Sequence, residues 1–239
     1  MAGRTSWKVA RHQPLRELAP GLWTLEAELD GPPIGRRMIV VALADGRLVL
    51  HSAVCADEPT MAALARLGEI GFVIVPNGFH RLDAAAYKHR FPHALILATP
   101  VATRRVAAKV AVDGGLGRLP ADPALGWELL RGAPAEAVFL HRGPGGVTAI
   151  FNDALFNLPD RLPGLAGKVV GLLGSTGGPK VTRIARRFLV RDPVALAEQF
   201  RALAALPDLV RAVPGHGAIL EGAAAAAGLE RAADGLSAR

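Results

Sequence analysis

Val213-Pro214-Gly215-His216-Gly217 sets a histidine between two glycines, directly after the short apolar run Leu209–Val213. Pro214 fixes its own φ, and the glycines permit backbone conformations that hold an imidazole out beyond a strand end. Such a histidine suits metal ligation or proton transfer, and a solvated turn histidine is the bland alternative. A second chemical stretch is Pro76-Asn77-Gly78-Phe79-His80-Arg81-Leu82-Asp83, which follows the β-branched run Gly71–Val75. Asn77, His80 and Asp83 are its candidates, although Asn77 reads equally as a turn cap and Asp83 as a helix cap or a solvated carboxylate. The third is Asp153, at the tip of Val147-Thr148-Ala149-Ile150-Phe151-Asn152. A carboxylate there costs free energy unless a metal, a histidine or backbone amides satisfy it. His51 ends another apolar strand and is read either as a cleft group or as a capped strand-end histidine.

These residues need strands to carry them. Gly21–Leu29, Arg37–Leu43 and Arg47–Leu50 have strand character, and Asp45-Gly46 marks a tight hairpin between the last two. Asp57, Glu58 and Pro59 start a helix with Met61, Leu64 and Leu67 on one face, which Gly68 ends. Gly71–Val75 then reads as a buried strand, and a strand that breaks through Pro-Asn-Gly into a helix is where open α/β sheets place ligand groups. A helix around Tyr87-Lys88-His89, a strand at Ala94–Ala98 and a helix within Thr99–Val110 follow. Asp113–Pro123 is a loop, and sheet resumes at Trp127–Leu130, Ala137–His141 and Gly146–Asn152. Residues 159–180 are rich in Pro and Gly and read as a linker. They contain Gly174-Ser175-Thr176-Gly177-Gly178-Pro179-Lys180, which lacks the spacing of a P-loop, although its backbone amides and the basic cluster after it could still bind an anion. Leu196, Phe200 and Leu203 predict a helix before the final strand, and Glu221–Arg231 a surface helix with a frayed tail. The first twenty residues, with Arg4, Lys8, Arg11, His12 and Arg16, read as a partly ordered arm, leaving residues 21–239 as one domain.

At 239 residues and 51% apolar composition the chain can bury a sizeable core. Its single cysteine, Cys55, excludes an internal disulfide and any multi-cysteine zinc site. No apolar leader opens the sequence and no run is long enough to span a bilayer, so a cytoplasmic protein without a membrane partner is expected. The net charge of +7 raises nucleic acid as a partner, but aromatic residues are 5% of the chain and are not interleaved with the charge, as a stacking platform requires. No nucleic-acid partner is expected. The cluster Lys180, Arg183, Arg186, Arg187 and Arg191 suits a small anionic substrate or ligand instead.

In their order, these parts resemble the metallo-β-lactamase superfamily. Phe151-Asn152-Asp153-Ala154-Leu155-Phe156 is similar to that family's Asp-bearing strand end, and Ala195–Gly217 to its final helix and histidine. The resemblance spans roughly Leu22 to Gly217 and includes a branch, with a degenerate metal motif, that shares Pro-Asn-x-Phe-His. It implies an α/β fold, the four-layer αβ/βα sandwich with two mixed sheets flanked by helices. The superfamily's His-x-His-x-Asp-His loop is here Asn77-Gly78-Phe79-His80-Arg81-Leu82, with His80 one position out of register. Gly132-Ala133-Pro134 stands where a further ligand is usual and cannot ligate, and His51 stands in place of the usual Asp. The resemblance thus implies at most one metal, zinc, iron or manganese, on His80, Asp153 and His216, with an open position for water. The same three residues could instead hydrogen-bond one another without metal, with Arg81 opposing a cation and pairing with Asp153. Two functions follow: a metal-dependent hydrolase, or a non-catalytic module binding a small molecule or a protein. Metal-free acid–base catalysis lacks a nucleophile, since Ser52, Ser175 and Thr176 have no recognisable elbow context.

Overall fold

Apolar strands whose neighbours run parallel must be joined by crossover helices, and the chain builds this arrangement twice. The computed structural model describes residues 5–31 and 33–237. Contacts divide the chain into two compact units. One holds Arg37–Gly126 with the N-terminal stretch to Glu28, and the other holds Leu29–Arg36 with the chain from Trp127 on.

The first unit carries a mixed sheet of six strands in sequential order: β1 (Arg16–Ala19), β2 (Leu22–Glu28), β3 (Gly35–Ala42), β4 (Arg47–His51), β5 (Glu69–Ile74) and β6 (Leu95–Leu97). β3 begins on residues that count with the second unit. β3 and β4 form the expected hairpin, with Gly46 at φ 85°, and β4, β5 and β6 are parallel. The crossovers are α1 (Glu58–Leu67) and α2 (Ala84–Arg90), and α3 (Pro100–Ala107) follows β6. The Asp57 side chain accepts from Thr60 N and Pro59 occupies the first turn, so α1 starts where its sequence directs. Tyr87 of α2 is fully buried, and its hydroxyl donates to the Val54 carbonyl at 2.8 Å. The N-terminal residues are tied into this unit: β1 pairs with β2, and the Trp7 indole N–H donates to Ala56 O, with its ring 4.8 Å from Tyr87. Partial burial of one aromatic ring anchors a stretch whose charges read as solvated.

The second unit contains β7 (Leu125–Leu129), β8 (Ala137–Gly143), β9 (Gly146–Ile150), β10 (Phe156–Leu158), α4 (Gly164–Leu172), β11 (Gly178–Lys180), α5 (Arg183–Phe188), α6 (Pro193–Ala204), β12 (Leu209–Val213), β13 (His216–Gly217), β14 (Leu220–Glu221) and α7 (Ala223–Ser237). β7 begins within the first unit. A five-stranded mixed sheet has the order β14-β12-β9-β8-β7, and a small sheet has the order β11-β10-β13. β12 covers the predicted Leu209–Val213. The stretch read as a linker instead contains α4 and β11, because β11 pairs with β10 and Pro179 is tolerated on that edge. α7 is longer than its alanine-rich sequence suggests and is no mere surface helix. Ala225, Leu229, Ala232, Ala233 and Leu236 are buried in the core that also holds Leu196, Phe200 and Leu203 of α6. Small residues there let the helix lie close, so methyl groups replace large side chains in the packing.

In each unit two parallel strands end side by side. His51 of β4 lies opposite Ile74 of β5, and Val213 of β12 lies opposite Ile150 of β9. The turn after β12 depends on its glycines: a Cβ on Gly215 would lie 2.8 Å from the Asn152 backbone, and Gly217, at φ 89°, would place one 2.0 Å from Asn157 O. Gly217→Ala should therefore destabilise the protein by about 3 kcal/mol or more, read as a lowered urea midpoint with an unchanged slope.

Candidate metal centre

Asp153 leaves the end of β9 with its side chain buried, and the turn that bears it is held by Glu136. That glutamate is fully buried, and its carboxylate accepts from Asp153 N at 3.0 Å, Ala154 N at 2.9 Å and Asn152 Nδ2 at 3.4 Å. Charge-assisted bonds to backbone amides offset its desolvation and lock the Asp153 turn. Glu136 was not foreseen. Its sequence signal was the one that marked Asp153, a carboxylate abutting an apolar strand, here Ala137–His141.

His216 faces Asp153, with Nε2 3.1 Å from Oδ1. Its Nδ1 lies 2.5 Å from the carbonyl oxygen of Gly35, and the Phe156 ring stacks on it at 4.6 Å. A carbonyl can only accept, so Nδ1 carries a hydrogen and donates it. In the neutral ring Nε2 then presents a bare lone pair to a carboxylate, two acceptors in contact. A shared proton or a cation must close that contact. Donors to one tetrahedral zinc, with bonds of about 2.0 to 2.2 Å, stand about 3.3 to 3.6 Å apart, so a metal would part this pair slightly from its 3.1 Å separation. A ring hydrogen-bonded to a backbone carbonyl through one nitrogen, with the other turned to the site, is the usual support of a metal-ligating histidine.

In the first unit, His80 is half-buried, and its Nδ1 shares a 3.0 Å hydrogen bond with Ser52 Oγ. Ser52 follows the end of β4 at φ 56°, a left-handed conformation uncommon for serine. The Asn77 side chain, fully buried, accepts from Phe79 N at 2.7 Å and His80 N at 3.2 Å, so Asn77 takes the turn-capping role. Asp83 accepts from Cys55 N at 3.0 Å and ties the segment after Ser52 to the start of α2. Arg81 donates to the Arg105 carbonyl, and the Arg105 guanidinium lies over the Phe79 ring. His51 is buried at the strand end, where loss of water, with the neighbouring His80 acting in the same direction, pushes its pKa down to about 3. It is a neutral imidazole at working pH.

Of the residues singled out from sequence, Asp153 and His216 are in direct contact within the second unit. His51, Asn77, His80, Arg81 and Asp83 gather around the ends of β4 and β5 in the first. The Gly132-Ala133-Pro134 loop packs: Ala133 is fully buried, and the Gly132 carbonyl accepts from Arg191 N and Asp192 N.

The chain has the metallo-β-lactamase fold, in the α/β class expected. It is similar to a metallo-β-lactamase from Erythrobacter litoralis, whose structure holds β-mercaptoethanol in the active site. The identity is 17%, the match covers 92% of this chain and 95% of that one, and the TM-score is 0.62. It is also similar to the mono-zinc form of the metallo-β-lactamase FIM-1 from Pseudomonas aeruginosa, at 12% identity, 98% and 100% coverage and a TM-score of 0.64. The metallo-β-lactamase DIM-1 gives 14% identity, 95% and 98% coverage and a TM-score of 0.61. No protein-family model matches the sequence, and no curated protein matches it. Identity this low establishes fold and leaves activity to the site.

Two outcomes follow from this geometry. The unfolded chain binds a proton on His51 near pH 6.5, whereas the folded chain resists it down to about 3. The stability due to neutral burial is thus complete above about pH 6.5 and is lost as pH falls through that window, by up to about 1.4 kcal/mol per pH unit. Urea titrations at pH 7 and pH 5 should show His51→Gln losing about one proton's worth of this slope. Glu136→Ala strands the buried amides of Asp153 and Ala154 and should cost about 3 kcal/mol or more by the same assay.

Proposed function

We propose that the protein is a metal-dependent hydrolase that uses one divalent ion on Asp153 and His216 of the second unit, with His80 the third ligand expected from the sequence. The observation that carries this reading is the direction of His216: its hydrogen is committed to Gly35 O, and its lone pair is turned to Asp153 Oδ1. The donor set fits, since two imidazoles and one carboxylate are a catalytic zinc set and also suit iron or manganese. An ion so held supplies Lewis acidity and lowers the pKa of a bound water enough to make it a nucleophile at neutral pH. The protein's own share is orientation. Gly35 and Phe156 set the plane of His216, Glu136 sets the turn of Asp153, and Ser52 with the Asn77 cap sets His80. Arg81, bonded to the Arg105 carbonyl, has an occupation other than competing with a cation. Esters, thioesters and phosphodiesters are the substrate classes such a water attacks.

A metal-free binding module is the second reading, and the 3.1 Å separation favours it equally, because a proton spans that distance. The two are separated by elemental analysis of protein purified without chelator or histidine tag, beside Asp153→Ala. The hydrolase reading expects about one ion per chain, lost in the variant, and at least about a hundredfold lower hydrolysis while circular dichroism shows the fold retained. Protein that takes up no zinc, manganese or iron on addition of any of them is the metal-free module.

A further inference from the structure

The segment from Arg161 to Arg191 holds seven of the chain's twenty-eight Lys and Arg and no Asp or Glu. The other twenty-one basic residues balance twenty-one acidic ones, so the whole net charge of +7 resides in this segment. The same segment carries α4, whose Leu165, Val169 and Leu172, with Leu173 at its C-cap, follow the spacing of one helical face. That face points outward: the four are 81%, 54%, 81% and 47% exposed. Gly167 is the buried residue of α4, where the absence of a Cβ lets the helix lie against the Leu162 backbone. On α5, Ile184 and Phe188, one turn apart, are 44% and 59% exposed. The segment after α4 reaches the start of α5, for a Cβ on Gly174 would lie 2.9 Å from the Arg183 side chain. Arg161, Lys168, Arg183, Arg187 and Arg191 are exposed with them. Arg186 differs, donating to the Gly235 and Leu236 carbonyls at the end of α7.

A soluble surface rarely presents an aliphatic stripe of this exposure without an occupant. We propose that the α4–α5 face docks on a bilayer that carries anionic lipid. Leucine, valine and phenylalanine enter the acyl boundary while surrounding lysine and arginine reach the headgroup phosphates. Charge selects this occupant. A second copy in a two-fold contact would set one all-cationic face against another. A protein partner is disfavoured because the segment offers no Trp or Tyr anchor, the side chains that dominate such interfaces. The face docks and does not span, since among the described residues no helix is long and apolar enough to cross a membrane. This proposal replaces the expectation of no membrane partner, which rested on the lack of a spanning run.

The test is co-sedimentation of the full chain with vesicles of phosphatidylcholine alone and of phosphatidylcholine mixed equally with phosphatidylglycerol, at low and high salt. Alongside go the double variants Leu165→Gln/Leu172→Gln and Lys168→Glu/Arg187→Glu, all at exposed positions, with circular dichroism confirming the fold. The chain should bind only the anionic vesicles, about tenfold less at high salt and about tenfold less in each variant. No binding to anionic vesicles at low salt overturns the proposal. So does wild-type affinity in the leucine variant, which would reduce binding to nonspecific charge adsorption. A dimer in sedimentation equilibrium that the leucine variant dissolves overturns it too, by assigning the face to a second copy.

Discussion

The hydrogen bond from His216 Nδ1 to the Gly35 carbonyl constrains much of the second unit. A ring fixed through one nitrogen presents the other in one direction, and everything near it is arranged to permit that. β13 must run beside β10, which places Phe156 opposite His216 and stacks the rings. The turn from β12 must pass close over Asn152, which only a residue without a Cβ can do at Gly215. β12 and β9 must be parallel and end together, so that Asp153 emerges where the imidazole is turned. The buried carboxylate and the buried imidazole are each costly alone, and each reduces the other's cost.

Two buried carboxylates lie in this unit, Glu136 and Asp153, and their roles divide by environment. Glu136 spends its oxygens on amide hydrogens and is a structural anion. Asp153 receives its backbone restraint from Glu136 and directs Oδ1 at His216. The first unit uses the same plan with other residues. Parallel strands end together, an Asn side chain caps the following turn, and a serine in a left-handed conformation bonds the histidine. Burial keeps His51 neutral beside it, so the strand end holds no charge from that ring.

Much of this was legible in the residues themselves. β12, α1 and the β3–β4 hairpin followed from apolar runs, an Asp cap, a Pro in the first turn and an Asp-Gly turn, because local chemistry and tertiary packing agree there. The cost of burying a carboxylate at a strand tip called for a partner to Asp153, with a metal, a histidine and backbone amides left open, and His216 is in contact with it. Asn77 and Asp83 were left between capping and chemistry, and the structure gives both to backbone amides. What could not be read was non-local. Glu136 and Asp153 are separated by a hairpin, Gly35 and His216 by most of the chain, and neither pair leaves a pattern in sequence. The 159–180 stretch failed for a different reason: its glycines signal turns, while its apolar residues form a helix face that no core claims, so neither composition nor periodicity matched a buried element.

The loops that the resemblance marks for further ligands serve packing here, and that bears on what the site can be. At Gly132-Ala133-Pro134 the chain approaches so closely that a Cβ on Gly132, at φ 78°, would lie 1.9 Å from the Asp192 carbonyl, at the N-cap of α6. A histidine cannot be restored at Gly132 without moving that helix start, because any side chain there is both strained and blocked. At Asn77 the side-chain oxygen is already bonded to two amides, so the turn that presents His80 depends on this residue remaining a cap. Substitutions aimed at recreating a two-metal loop would therefore dismantle the supports of the donors that remain. The orientation of His216 toward Asp153 is thus a resource the fold supplies, and it rests on supports that leave little room for other side chains.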